Sequence, residues 1–201
     1  MGKRGIKPQG KTKISWSHDF AYAIGLIATD GCLSNNGRCV ILTSKDDEQL
    51  ESFLQSLNIK AKIGINISGF GGISKRVQLS DILFYRFLQS IGLTPKKSKT
   101  FGTLKIPRKY FFDFLRGVFD GDGSTYSYWD RRWRSSFMFY VCFASASPSF
   151  INWLQETIQS HLRIRGHVTA ARGHVTGQLK YAKGEGLKVL RRMYGSINPI
   201  G

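Results

Sequence analysis

The sequence predicts an α+β protein in which one unit, helix–hairpin–helix–hairpin–helix, is built twice. Three observations predict it. An apolar stretch at 23–31 returns at 115–123, each copy holding a glycine (Gly25, Gly117) five residues before an aspartate (Asp30, Asp122) and another glycine (Gly31, Gly123) directly after it. The order of elements that follows the first copy also follows the second, 92 residues later. The segments between helices alternate apolar and polar residues with the period of two that marks half-buried strands.

Residues 1–16 hold Gly, Lys and Pro without periodicity and read as a flexible basic tail. Within it, Gly5 to Thr12 fits the phosphate-loop pattern G-x-x-x-x-G-K-T, but only four residues precede it. No strand is available to hold such a loop, so the match is fortuitous. The first repeat spans 17–92. Ser17 is placed to cap a helix over 18–30, with Asp19 in its first turn. A hairpin of strands 32–34 and 38–44 turns at Asn35, Asn36 and Gly37. Asp46, Asp47 and Glu48 open a helix to 58 whose Leu50, Phe53, Leu54 and Leu57 form an apolar stripe. Strands over 62–68 and 74–80 follow, then a helix over 81–91 ended by Gly92.

A basic linker, 93–107, carries Lys96, Lys97 and Lys99. The second repeat, 108–201, starts with a helix over 109–122 and strands 124–129 and 133–144 around Asp130, Arg131 and Arg132. A helix over 147–162 places Phe150, Leu154, Ile158 and Leu162 on one side. Strands 166–171 and 175–181 and a helix over 185–194 complete the unit. Val77, Gln78 and Leu79 are echoed by Gly177, Gln178 and Leu179, as duplication requires.

Composition narrows the function. The 201 residues are 41% hydrophobic, as in globular chains, but the net charge is +17 and the pI near 10.1. Such a balance favours polyanions, nucleic acid first. Tail and linker are purely basic, 17–92 balances seven basic against seven acidic residues, and 108–201 holds fourteen against six. No apolar run is long enough to span a membrane, and no signal-peptide core follows the basic start. Cys32, Cys39 and Cys142 lack metal-ligand spacing, which points to a reducing, intracellular compartment and no disulfide framework. His18, His161, His167 and His174 lack zinc-like spacing and read as surface or groove residues. Trp16, Trp129, Trp133 and Trp153 read as packing anchors.

The strand alternation sorts by chemistry. Phe137, Phe139, Val141 and Phe143 share one parity, with Arg132, Arg134, Ser136 and Tyr140 on the other. Cys142 also falls on that polar parity and reads as an apolar base contact or a neutral filler. Ile63, Ile65 and Ile67 oppose Lys62, Asn66 and Ser68; Val77 and Leu79 oppose Arg76 and Gln78; Leu179 and Tyr181 oppose Thr176, Gln178 and Lys180. The polar parities, with Arg38 beside them, carry no acidic residue, whereas an ordinary solvated face mixes signs. A basic, amide- and hydroxyl-rich sheet face suits a DNA major groove. There Arg and Lys read guanine, Gln and Asn read adenine, and further cations hold phosphates.

The repeated motif suggests chemistry. An interior helical glycine costs about 1 kcal/mol relative to alanine. Two at the same place imply helices packed too closely for a Cβ. If those helices run the same way, Asp30 and Asp122 meet at the foot of the pair. Nearby carboxylates repel unless a cation lies between them, and Mg²⁺ prefers oxygen ligands. One Asp-Gly is equally a helix end with a glycine C-cap. Two copies in one register, each with an acid at the helix end whose dipole disfavours it, favour a metal site.

These motifs, in this order of elements, resemble those of the LAGLIDADG homing endonuclease family in its single-chain, two-repeat form, over essentially 17–195. The resemblance implies two α-β-β-α-β-β-α halves related by a pseudo-twofold axis through the motif helices, each laying a saddle-shaped antiparallel sheet in the major groove. It implies that Asp30 and Asp122 bind the catalytic metals, helped by the carbonyls of Thr29 and Gly121. Mg²⁺ would be the cofactor, with Mn²⁺ substituting and Ca²⁺ supporting binding. Lys97, just before Ser98, resembles the basic residue that lies near the scissile phosphate. The expected activity is that of a monomer without an obligate protein partner or membrane. It would recognise a long asymmetric duplex DNA site, hydrolyse one phosphodiester per strand and leave short 3′ overhangs.

The chain departs from the family pattern in three places. The sixth motif position is Ala28 in one copy and Asp120 in the other, so Asp120 is given no catalytic weight. The second repeat has no counterpart of Lys97; either Lys180 or Lys183 fills that role, or the site is asymmetric, or the natural chain continues. Ser44 and Ala146 fall near the position of the polar residue that orients attacking water, a task Ala146 cannot perform. An intron-RNA splicing maturase and a non-catalytic DNA-binding regulator remain as alternatives on the same fold. Acids kept in both copies favour the nuclease.

Overall fold

In the computed structural model of the chain, residues 10–67, 72–95, 101–133, 135–170 and 177–195 are described. Ser68, Lys97, Arg134, Thr176 and His174, singled out above, lie outside them.

The first repeat runs α1 (His18–Thr29), β1 (Gly31–Leu33), β2 (Cys39–Ser44), α2 (Asp47–Ser56), β3 (Ile63–Ile67), β4 (Ile73–Ser80) and α3 (Ile82–Ser90). After a 3-10 turn at Arg108–Tyr110, the second runs α4 (Phe111–Asp122), β5 (Gly123–Trp129), β6 (Phe137–Ser145), α5 (Pro148–Leu162), β7 (His167–Ala170), β8 (Gly177–Ala182) and α6 (Lys183–Tyr194). Each repeat forms one antiparallel four-stranded sheet, ordered β1-β2-β4-β3 and β5-β6-β8-β7. The same strand order in both halves is what a duplicated unit gives.

Local chemistry sets the helix starts. Side chains of Ser17, Asp46, Asp81 and Ser147 accept from backbone N–H groups in the first turns of α1, α2, α3 and α5. Asp81 does more. It also accepts from the N–H groups of Lys11 and Thr12 at 2.7 and 2.8 Å, which docks the segment before α1 onto the first repeat. Trp16 then packs among Phe20, Phe87 and Tyr110. Residues 10–16, read from the sequence as part of a flexible tail, thus make specific contacts with the first repeat and with Tyr110. Linker residues dock as well: Leu93, Phe101 and Leu104 are buried, and the Ser147 hydroxyl donates to the Phe101 carbonyl.

The core surrounds α1, whose residues Phe20 to Ala28 are all buried. One side of α1 meets α4. A Cβ added at Gly25 would lie 2.2 Å from the Phe114 carbonyl oxygen and 2.8 Å from Gly117 Cα; one at Gly117 would lie 2.2 Å from the Tyr22 carbonyl oxygen. The helices touch backbone to backbone, and this explains both interior glycines. His18 pairs with Asp113 at 2.8 Å near the helix starts, Gly25 meets Gly117 midway, and Thr29 meets Gly121 near the ends. Contacts that advance together along both chains mean that the helices run the same way.

Several side chains depart from the sequence parity. Val77, Leu79, Val141 and Phe143 are buried as expected, but Ile65 and Ile67 are 69% and 70% exposed, as Ile73 also is. They share the helix-side face, yet stand where the hairpins run past the helix layer. Phe137 and Trp129 do the same on the β5–β6 hairpin, and Trp133 is 70% exposed, so only Trp16 and Trp153 anchor packing. His161 is not a groove residue: its ring stacks on Phe111. The three cysteines are free thiols, and no helix among the described residues is long and apolar enough to cross a membrane.

Two stability predictions follow from these contacts. Gly117→Ala should lose about 1–3 kcal/mol in urea unfolding because the backbones must separate. Gly184→Ala, in a helical position with open space around it, should gain up to about 1 kcal/mol. Equal effects would contradict the close contact. For Asp81, burial pushes the pKa up, but bonds from the Phe84, Thr12 and Lys11 N–H groups outweigh it and hold the carboxyl below its ordinary value. A depressed folded value stabilises above the unfolded pKa of about 3.9 and fades as pH falls through the folded one. Asp81→Ala should therefore cost about 2–3 kcal/mol at pH 7, and the gap from wild type should narrow on acidification below about pH 4.

Candidate paired-aspartate site and nucleic-acid interface

Asp30 is the C-cap of α1 and Asp122 the last residue of α4. A Cβ at Gly121 would lie 2.0 Å from Thr29 Oγ1 and 2.8 Å from Asp30 Oδ2. The half-buried Asp30 carboxylate therefore rests against the peptide that leads directly into the exposed Asp122. The Thr29 hydroxyl is turned back along α1, donating to the Leu26 carbonyl at 3.0 Å.

The glycines after the aspartates are not left-handed C-caps. Gly123 has φ −84° and ψ 162°, and Gly31 is absent from the positive-φ residues. Instead, a Cβ at Gly31 would lie 2.6 Å from Ile27 Cα, and one at Gly123 would lie 2.4 Å from the Phe119 carbonyl oxygen. Each chain turns straight from helix into strand, against its own last helical turn, and only glycine fits. The tight turn is what leaves the aspartates at the helix feet.

Gln49 on α2 is a site residue that sequence reasoning missed. Its Nε2 donates to Asp30 Oδ2 at 3.2 Å and to the Asp120 carbonyl at 3.1 Å, tying the carboxylate to the opposite motif helix. Nothing in the sequence marks it beyond a place off the apolar stripe of α2. With Asp30, Ser44, Lys45, Asp46, Asp120 and Gly121 it lines an open pocket at the helix feet. Ser44 Oγ accepts from the Asp46 N–H at 3.0 Å and so also shapes the start of α2.

Asp120 has a holding role. The Tyr194 hydroxyl of α6 donates to its Oδ1, and Tyr22 of α1 lines the same pocket. Burial first, and then this carboxylate, push both phenols well above the ordinary tyrosine range, so they remain protonated donors. The Arg116 guanidinium lies 4.5 Å from the Tyr22 ring centroid. The sixth-position aspartate thus joins α4 to α6.

The donors at the helix feet suit a hard cation. Asp30, Asp122 and the Thr29 and Gly121 carbonyls offer only oxygen, and the cradle at Gly121 is one that a Cβ would fill. Among the described residues no cluster of three or more His, Cys, Asp or Glu occurs. Two carboxylates are the number Mg²⁺ ordinarily takes from protein when phosphate and water complete its shell. Of the cations considered for the second half, Lys180 lies 5.8 Å from the Tyr126 ring centroid, and Lys183 donates to Ser136 Oγ at 3.2 Å.

The outer sheet faces hold many of the expected contact residues. Register places Asn66, Arg76 and Gln78 on the outer face of the first sheet, and Tyr140, Gln178 and Lys180 on that of the second. Arg38 and Lys62 are exposed just before their strands, not on the sheet face. Because β6 starts at Phe137, Arg132 and Ser136 stand in the preceding turn, where the Arg132 side chain reaches back to Asp130 at 3.6 Å. Cys142 shares the outer face but is buried, and burial pushes its thiol up. It is filler. Tyr126 and Tyr128 on β5 were missed because that strand, mostly Ser, Thr and Tyr, shows no apolar alternation. No described strand carries an acidic residue.

No protein-family model and no curated protein sequence matches the chain. Solved structures do. The N-terminal LAGLIDADG domain of DUF199/WhiA superposes with a TM-score of 0.60 at 13% identity, covering 92% of this chain and 86% of that one. The homing endonuclease I-DmoI in complex with DNA and Mn gives 0.57 at 14% identity, covering 90% and 98%. The homing endonuclease I-WcaI bound to its DNA recognition sequence gives 0.57 at 13%, covering 94% and 88%. At such identities the likeness is one of fold, and it agrees with the two four-stranded sheets and six helices: the chain has the LAGLIDADG homing endonuclease fold.

Proposed function

We propose that the chain is a monomeric, divalent-metal-dependent endonuclease that recognises a long asymmetric duplex DNA site and hydrolyses one phosphodiester in each strand. The observation that carries this reading is the backbone contact of α1 with α4, which sets the Asp30 carboxylate against Gly121, beside Asp122 in the chain. Asp30, Asp122 and the Thr29 and Gly121 carbonyls would hold the metal, with Mg²⁺ the expected ion. A bound divalent cation supplies Lewis-acid stabilisation of phosphodiester oxygens during in-line displacement.

The chain's own residues do the rest. Gln49 fixes the direction of the Asp30 carboxylate through one amide hydrogen bond while the other end of α2 stays anchored by its apolar stripe. Lys45 brings positive charge to the same pocket, where it would oppose charge developing on a phosphate. Lys97 is proposed for the same task near the scissile phosphate. The acid-free outer faces admit the polyanion, with Arg76, Gln78, Asn66, Gln178 and Lys180 facing base edges and phosphates.

Digestion of a randomised duplex library with Mg²⁺ should yield a cleaved subset sharing one long motif. Asp30→Asn should abolish cleavage while binding to the selected duplex in Ca²⁺ stays within about threefold, since the carboxylate does not read DNA. Binding without cleavage by the wild-type chain in Mg²⁺ or Mn²⁺ would leave a DNA-binding protein without nuclease activity. Gln49→Leu should raise the Mg²⁺ concentration for half-maximal cleavage about 10- to 100-fold, as loss of a ligand-orienting partner does. An unchanged metal titration would remove Gln49 from the site.

A further inference from the structure

Three tyrosines stand together on the outer face of the second sheet, and cleavage makes no use of them. Tyr126 and Tyr128 come from β5 and Tyr140 from β6, where it is the direct partner of Tyr126. The Tyr126 and Tyr140 rings lie 4.9 Å apart and 17° from parallel. Tyr128 lies 6.4 Å from Tyr126 at 5° and 6.2 Å from Tyr140 at 14°. Lys180 reaches over the Tyr126 ring, and Cys142 fills the space next to it. Tyr126 and Tyr128 remain 40% and 47% exposed.

The arrangement decides what such a surface can bind. Near-parallel rings this close leave no room for a base to enter between them, while Tyr126 and Tyr128 keep exposed ring surface on the outer face. A platform for unpaired bases needs a free ring face on which each base can stack, and here the Tyr126 ring stands between Tyr140 and the Lys180 ammonium. An edge-on tyrosine offers C–H surface with a hydroxyl beside it. In a duplex major groove the matching apolar group is the thymine 5-methyl, which no other base carries, and the hydroxyl pairs with neighbouring acceptors. The first sheet differs: its outer face presents Arg76, Gln78 and Asn66, which suit purine edges.

We infer that Tyr126, Tyr128 and Tyr140 form a thymine-reading element, so that the half-site bound by the second repeat is selected for adjacent thymine methyl groups. Lys180 serves a neighbouring phosphate. The inference rests on the duplex-DNA reading above. It makes the asymmetry of the target a matter of chemistry as well as of sequence: one half-site is read through amide and guanidinium groups, the other through aromatic edges beside the Gln178 amide.

The test uses the full chain in Ca²⁺ and the duplex selected from a randomised library, with each thymine replaced singly by deoxyuridine. Removing a contacted methyl should weaken binding about three- to fivefold at two or three neighbouring thymines of one half-site and nowhere else. The double variant Tyr126→Ser, Tyr128→Ser should lose that sensitivity, while keeping its base preferences in the other half-site, which shows that it is folded. A target without clustered thymines overturns the inference. So does tolerance of deoxyuridine, or an unchanged penalty in the double variant. Tyr126→Phe, Tyr128→Phe should keep the deoxyuridine penalty; its loss there would mean that the hydroxyls, not the ring edges, carry the contact. If no duplex is bound at all, the DNA reading falls and this one with it; binding that ignores the methyl groups overturns this inference alone.

Discussion

The approach of α1 to α4 is the constraint on which the rest of the structure depends. Ordinary helix pairs stand about 8–10 Å apart because side chains separate them. Here Gly25 and Gly117 remove the spacer, and each backbone occupies the room where the other's Cβ would be. Such a contact fixes both distance and register, since sliding either helix would bring a side chain into the gap. Because the helices also run the same way, Thr29 and Asp30 meet Gly121 at their feet. The same approach explains why α1 is apolar all round: with α4 against one side, little of the helix faces water.

Placing carboxylates at two helix C-termini works against the dipoles there, and the surrounding groups offset this. Gln49 donates to Asp30, and the Tyr194 hydroxyl donates to Asp120, two residues before the foot of α4. The acids on α2, which read in the sequence as one cluster, have separate tasks. Asp46 caps the helix, and Asp47 pairs with Lys75 of β4. Removing these acids from the strands is what leaves the outer faces open to a polyanion. The net charge of +17 supplies long-range attraction, but only Lys75, Arg76 and Lys180 of the described strand residues are lysine or arginine. Most of the positive charge therefore lies off the sheet faces.

Duplication gave both halves one topology without giving them one surface. The strand orders agree, yet the first outer face is rich in amide and guanidinium groups and the second in phenols. Inward positions are held to similar chemistry by the shared core, whereas outward positions carry no packing constraint and are free to diverge toward different ligands.

The sequence by itself determined the order of the fourteen α-helices and strands among the described residues and most of their ends to within two residues. It also determined the need for close contact at Gly25 and Gly117 and the outward parity of Asn66, Arg76, Gln78, Tyr140, Gln178 and Lys180. These are written in contiguous residues, as periods of two and 3.6, caps and a motif that occurs twice. Only the tertiary structure decided that Gln49 reaches Asp30, that Tyr22 and Tyr194 converge on Asp120, and that Ile65, Ile67, Trp129 and Phe137 lie beyond the edge of the helix layer. Alternation tells which side of a sheet a residue faces but not whether anything covers that side. A contact between residues 49 and 30, or 194 and 120, arises from how separate elements pack, and no local pattern in the chain records it.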